Sequence, residues 1–462
     1  MVELRLDEVA AKMGGRVLQG DPSRVFRTFT IDSRLARPGD LFFALRARRD
    51  GHAFVAAARD KGAAGAVISR QITTPDGGFA LVRVPDTVAA LEELARRVLA
   101  ERPVKVVGIT GSIGKTTTKE FAASLLSRRF RLLKSEGNFN NKLGLALSLL
   151  RLEPEHELAV LEMGTSGFGE IRALTRIAPP DVAVITNINP VHLEFLGDLE
   201  GVAQAKKEIL EGTREGGVAV LNGDDPWVRK VGEDWPGRRL TFGFGPEVDV
   251  RAVSVRPLGQ QGLAFELRCF GKKAEVRLGF VYQEFIANLL AAVGVGAALG
   301  VSFEEMTAGI DDLHPLAGRG GLIRLARGIR LVDDSYNSNP RALEAALKGL
   351  ALLPAGRRVA VLGDMLELGQ GEAAFHRAAG RQVAEAGWDT LVAVGPLGRF
   401  MLEGARAAGM EPERLTLFPT AEEAAAAIMS LVREDDLILV KGSRGIHMER
   451  IAERLLADLK ET

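Results

Sequence analysis

The stretch Gly108-Ile109-Thr110-Gly111-Ser112-Ile113-Gly114-Lys115-Thr116-Thr117 ends an apolar, β-branched run that begins at Val104, and it opens a helical segment. Gly111 and Gly114 let the backbone turn so that successive N–H groups and the helix N-terminus face an anion, and Lys115 can reach its outer phosphates. Thr116 supplies a hydroxyl for magnesium. The spacing departs from the common G-x-x-x-x-G-K-[ST] loop, because Ile109 stands where the first glycine belongs and Gly108 lies one residue further back. The setting carries the reading. A glycine three residues before Gly-Lys-Thr, between a strand and a helix, predicts a phosphate loop in which Gly111, Ser112, Gly114, Lys115, Thr116 and Thr117 hold a nucleotide.

Outward from this loop, short apolar runs alternate with helical stretches. Val104–Thr110, Leu158–Met163, Val182–Thr186 and Val218–Leu221 form one set, and Ile329–Val332, Val359–Leu362, Leu391–Val394 and Leu437–Val440 a second. Continuous β-branched runs of this kind predict two parallel sheets covered on both faces. Residues 248–278 alternate polar and apolar, which predicts antiparallel strands appended to the central sheet. Glu101-Arg102-Pro103 follows a helix predicted over Thr87–Ala100, and His314-Pro315-Leu316-Ala317-Gly318-Arg319-Gly320-Gly321 has the composition of a hinge. The boundaries expected are therefore 1–102, 103–313 and 314–462, in keeping with a length of 462 residues and roughly 100–200 residues per domain.

Composition narrows the function classes. With 60 basic and 60 acidic side chains the chain has no net charge, so no general attraction to nucleic acid or an anionic membrane is expected. The lone Cys269, in a strand-like setting, excludes an intrachain disulfide and fits a reducing cytoplasm. Charges in Met1-Val2-Glu3-Leu4-Arg5-Leu6-Asp7 do not suit a signal peptide, and the 13-residue apolar run Leu289–Val301 falls short of the roughly 20 residues a bilayer span needs. A cytoplasmic protein is expected, without membrane insertion.

In open α/β sheets ligands bind beyond the carboxyl ends of the strands. There the sequence places Glu162, a carboxylate that ends an apolar strand and so calls for a cation; its alternative is a cap for the helix after Gly169. His192 lies on the loop after the third run and is open between a ligand and an ordinary satisfied histidine. Lys206-Lys207, in a helical stretch, reads from the residues alone as a solvated face.

These residues resemble the Mur ligases, ATP-dependent amide ligases of peptidoglycan synthesis. The phosphate loop carries the resemblance, together with Gly137-Asn138-Phe139-Asn140-Asn141, Glu162-Met163-Gly164, Asp333-Asp334-Ser335-Tyr336-Asn337-Ser338-Asn339-Pro340, Gly363-Asp364-Met365-Leu366-Glu367-Leu368-Gly369 and Lys441-Gly442-Ser443-Arg444. Asp32-Ser33-Arg34 and Asp50-Gly51-His52 extend it through the first domain. These motifs look most like the branch that adds D-alanyl-D-alanine to UDP-N-acetylmuramoyl tripeptide through an acyl phosphate.

The resemblance implies an α/β protein of three domains: a small UDP-sugar-binding domain, a central P-loop ATPase-like parallel sheet, and a C-terminal Rossmann-like domain that takes the dipeptide. Its implied cofactors are ATP and magnesium, with Thr116, Glu162, His192 and a carbamylated Lys206 as metal ligands. Asn288, Asp334, Tyr336 and Asn337 would contact the nucleotide, and Arg319 the transferred phosphate. Lys115, Lys206, His192, Arg319, Asn140 and Asn141 would be catalytic, while Ser33, Arg34, Asn138, Lys441, Ser443 and Arg444 would bind substrates. A monomer is expected. Three positions depart from the family pattern: Glu284 where a His is common, Ala47 where a Gly is usual, and Ser338 where Ala is typical. The rival readings are a P-loop switch protein, which leaves the first domain without a task, and two related ligases, the tripeptide-forming enzyme and a folylpolyglutamate synthase.

Overall fold

The computed structural model describes residues 2–46, 49–72, 78–137 and 139–460; Asn138 and Ala47, singled out above, lie outside the described residues. Three sheets of five, nine and six strands follow one another along the chain, with a two-stranded ribbon, Leu4–Arg5 against Val25–Phe26, beside the first.

The N-terminal sheet is ordered Arg16–Gln19, Ala80–Arg83, Gly65–Ile68, Leu41–Phe43, Phe29–Thr30, and Arg16–Gln19 alone runs antiparallel to its neighbour. The helix Thr87–Ala100 matches its predicted span. Asp86 starts it by accepting from the N–H groups of Val88 and Ala89, two donors that no turn of helix can satisfy.

The nine-stranded sheet positions the phosphate loop. Its order is Lys272–Leu278, Leu263–Cys269, Val250–Pro257, Arg238–Gly243, Val218–Asn222, Val182–Ile185, Lys105–Thr110, Leu158–Glu162, Leu132–Lys134. Strand Lys105–Thr110 has Val182–Ile185 on one side and Leu158–Glu162 on the other, so the chain reverses its direction of travel across the sheet here. A topological switch point opens a crevice at the carboxyl edge, and the phosphate loop lies in it. Strands Val250–Pro257, Leu263–Cys269 and Lys272–Leu278 are antiparallel to one another, as expected, but the first joins Arg238–Gly243 in parallel.

The long apolar run belongs to helix Glu284–Ala298, which is buried almost all round and packs on the phosphate-loop helix Lys115–Leu126. Such a helix belongs in a core. No helix among the described residues is long and apolar enough to cross a membrane.

The six-stranded sheet runs Gly321–Arg324, Arg330–Asp334, Asp436–Lys441, Arg357–Gly363, Thr390–Val394, Leu415–Phe418, parallel except for its first strand. One apolar cluster continues from the central unit into this one, through Phe285, Leu289 and Tyr282 to Val332, Leu347 and Leu439.

Candidate active site

The phosphate loop is shaped by what crowds it. Gly111 and Gly114 have φ of 143° and 83°. A Cβ at Gly114 would run into Asn288 Oδ1, and one at Gly111 into Thr186 Oγ1. Loop 186–189 braces the turn: Asn187 Oδ1 accepts from the Ile113 N–H at 2.9 Å, its Nδ2 donates to the Ile113 carbonyl, and Ser112 Oγ donates to the Asn189 carbonyl. Asn189 is held in turn by Arg341, whose Nη1 donates to its Oδ1 at 2.6 Å. Lys115 Nζ folds back onto the carbonyls of Gly111 (2.8 Å) and Ser112 (3.2 Å). Burial lowers its pKa, Glu162 opposes that shift and Arg319 adds to it.

Glu162 occupies the end of its strand at 2 % exposure, and it is no helix cap. Its Oε2 accepts from Thr116 Oγ1 at 2.8 Å and its Oε1 from Asn140 Nδ2 at 2.9 Å, while Arg319 Nη2 reaches Thr116 Oγ1 at 3.3 Å. Four predicted residues from four segments therefore converge: Thr116, Asn140, Glu162 and Arg319. Behind them Lys119, which the sequence reading passed over, is fully buried and donates to the Ser135 carbonyl at 2.7 Å, anchoring the loop that carries Asn140.

Lys206 corrects the solvated-face reading. It is 2 % exposed on helix Leu199–Glu211 and makes no hydrogen bond or ion pair among the described residues. Burial pushes its ammonium pKa well down, and Lys115 adds to the shift. Lys207 is the solvated partner, paired with Asp234. His192 starts helix Leu193–Leu196 with a left-handed φ of 52°. Its Nδ1 comes within 2.6 Å of Glu367 Oε2, out of line for a hydrogen bond, and burial lowers the imidazole pKa against the pull of that carboxylate. Glu367, also left-handed at φ 62°, lies on the C-terminal unit; spacing in the sequence does not indicate its meeting with His192.

Other predicted residues have protein partners of their own. Asn141 caps helix Lys142–Leu149 through the Gly144 N–H, which commits its amide oxygen. Asn288 stands behind the loop, accepting from Thr118 Oγ1. Lys441, expected near the dipeptide, is 3 % exposed and donates to Asp334 Oδ2 at 2.6 Å and to the Asn337 carbonyl. Burial raises the Asp334 pKa, with Lys441 opposing. Ser443 is buried and ties two loops, accepting from the Leu366 N–H and donating to the Ser338 carbonyl. Tyr336 lies between two guanidinium groups, with Arg319 3.6 Å and Arg444 4.8 Å from its ring centre. Ser33 and Arg34 belong to the N-terminal unit, where Arg34 pairs with Asp32 and holds its carboxyl down to about 2.

The donors fit magnesium of one kind. No three His, Cys, Asp or Glu side chains gather among the described residues. One carboxylate and one hydroxyl beside a phosphate loop suit a magnesium ion that takes its remaining ligands from phosphate and water.

Residues 109–296 match the Mur ligase middle domain, and residues 318–444 match the Mur ligase glutamate ligase domain. The UDP-N-acetylmuramoyl-tripeptide--D-alanyl-D-alanine ligase of Bacillus subtilis is 36% identical over 94% of this chain and 93% of its own length. A crystal structure of MurF from Acinetobacter baumannii superposes with a TM-score of 0.89 at 33% identity, covering 99% of this chain and 100% of its own. That of MurF ligase from Thermotoga maritima in complex with ADP gives 0.82 at 31% identity, covering 94% and 97%. On the convergent loop geometry and these near-full-length likenesses, the chain belongs to the Mur ligase family.

Proposed function

We propose that this chain joins D-alanyl-D-alanine to UDP-N-acetylmuramoyl tripeptide at the expense of ATP, giving the pentapeptide precursor of peptidoglycan with ADP and phosphate. The observation that carries the reading is the convergence of Lys115, Thr116, Glu162 and Arg319 where the central and C-terminal units meet. The Bacillus subtilis relative's name and the ADP in the Thermotoga maritima structure support the substrates and nucleotide. Residues 1–102 would hold the UDP-sugar, 103–313 the ATP, and 314–462 the incoming dipeptide with part of the nucleotide.

A carboxylate has no acceptable leaving group for amide formation. Its oxygen therefore attacks the γ-phosphorus, ADP departs, and the resulting acyl phosphate is attacked by the dipeptide amine, which loses a proton as phosphate leaves. The first step brings two anions together, so catalysis is positioning and charge neutralisation. Lys115 and Arg319 approach from opposite units, and Lys115 exchanges its carbonyl partners for phosphate oxygens. Thr116, Glu162, His192 and Lys206 would hold magnesium, which counters phosphate charge when bound. A buried amine with a depressed pKa is the neutral form that adds carbon dioxide, which supports a carbamate on Lys206. Arg444, exposed beside Tyr336 and without an ion pair among the described residues, would take the dipeptide carboxylate.

The test is ADP release with UDP-N-acetylmuramoyl tripeptide and ATP. Turnover is expected with D-alanyl-D-alanine, not with a diamino acid or glutamate, and Lys115→Ala is expected to abolish it while leaving the circular dichroism unchanged. Equal turnover with glutamate, or an active Lys115→Ala protein, overturns the reading.

A further inference from the structure

The amino-terminal edge of the C-terminal sheet carries an unusual row. Arg324 lies directly opposite Arg330 on the antiparallel pair, Arg330 is in register with Leu437, and Leu437 with Arg358. Partners in register share a face of the sheet, so three guanidinium side chains stand on one side within four adjacent strands. Like charges directly opposite one another repel. Arg327 pairs with Glu434 and Arg357 with Asp436, yet Arg324, Arg330 and Arg358 have no ion pair among the described residues.

Burial sharpens the point. Arg330 is 7 % exposed, and its Nη1 and the Nε of Arg358 are buried without an acceptor. Arg358 spends its Nη2 on the carbonyls of Ala351 and Leu353. A buried donor without an acceptor is costly, and more so when it is charged. Arg324 and Arg330 line a cavity of about 590 Å³ together with Gly356, Asp435 and Gln260, the last from the 3₁₀ turn Gly259–Gln261 of the central unit. Asp435 offsets one of the three positive charges and reaches neither Arg324 nor Arg330 within ion-pair distance. A planar guanidinium fork matches the oxygens of an oxyanion, and directly opposite positions on neighbouring strands put the backbones of Arg324 and Arg330 about 5 Å apart, so both side chains start from one side of the same cavity.

We propose that this cavity is a binding site for a small phosphate-bearing anion, separate from the phosphate loop, with Arg324 and Arg330 as its ligands and Arg358 reinforcing the field behind them. Its occupant touches both the central hairpin and the C-terminal sheet, so it ties the two units at a second point.

Calorimetric titration of the full chain with inorganic phosphate and with pyrophosphate, at constant ionic strength and with citrate as a carboxylate control, is paired with hydrogen exchange. Binding is expected to protect residues 321–330 and 354–358. Arg324→Gln, an exposed position, is expected to weaken that binding at least tenfold without altering the circular dichroism, and Arg330→Met to do the same. Protection confined to residues 111–117, unchanged affinity in Arg324→Gln, equal binding of citrate, or no binding of either phosphate overturns the proposal. Phosphate and pyrophosphate bound equally would mark a single-phosphate site, and tighter pyrophosphate a site that reaches towards Arg358.

Discussion

Lys206 sits with Val202, Ala205 and Ile209 on the inner face of its helix, so truncating it removes a head group from the site rather than a surface charge. Lys206→Ala is expected to lower turnover about hundredfold, the scale of losing one group aimed at the reacting charge. Part is expected to return with added acetate, and a steady-state assay with and without acetate checks it. The inward position was not read from the residues, although 202, 205, 206 and 209 are spaced i, i+3, i+4 and i+7, the signature of one helical face. Composition obscured it, because adjacent lysines suggest solvent. Cys269 is a quieter case. Burial, then Asp249, pushes its thiol from 9.0 up to about 11. The folded state therefore favours the protonated thiol, and that contribution, full below pH 9, is lost as pH rises towards 11. Thermal melts across this range are expected to show falling stability that Cys269→Ala reduces, with little alkylation of the native thiol at neutral pH.

At the scale of elements, Asp86→Ala is expected to cost about 1 kcal/mol through two helix N–H groups left to solvent, measured by urea unfolding. Helix Thr87–Ala100 was legible end to end because its cap and apolar spacing agree. The buried parallel strands read in the central and C-terminal sheets match within two residues, since both faces demand apolar side chains, whereas Leu41–Phe43 and Gly65–Ile68 of the first sheet were not read. Strands Leu132–Lys134 and Leu415–Phe418 were not, because they form sheet edges and are too short or too polar to form a run. Arg238–Gly243 hides behind two exposed arginines that precede its buried half. At the site, residues on strand ends and the phosphate loop were legible from local pattern. Glu367, Arg341 and Lys119 act across long sequence separations, and no local spacing encodes such meetings.

Across the whole molecule, the central and C-terminal units meet through Arg319 and Thr116, Arg341 and Asn189, and His192 and Glu367. Gly318 and Gly320, at φ 70° and 76°, flank Arg319 in the segment between the units. The acyl phosphate requires exclusion of water, so the C-terminal unit is expected to close over the central one when substrates bind, with these contacts as the points where they meet. Small-angle scattering is expected to show a smaller radius of gyration with ATP and both substrates than without them; an unchanged value contradicts the hinge.

Helix Glu284–Ala298 also dictates when the site can come into being. Gly114 is shaped against Asn288, and the helix after the phosphate loop rests on a partner encoded some 170 positions later. During synthesis the phosphate loop leaves the ribosome long before its support exists. A nascent chain halted ahead of residue 284 carries every glycine of the loop and still lacks the surface that sets its curvature, so nucleotide capture must await nearly the entire middle unit.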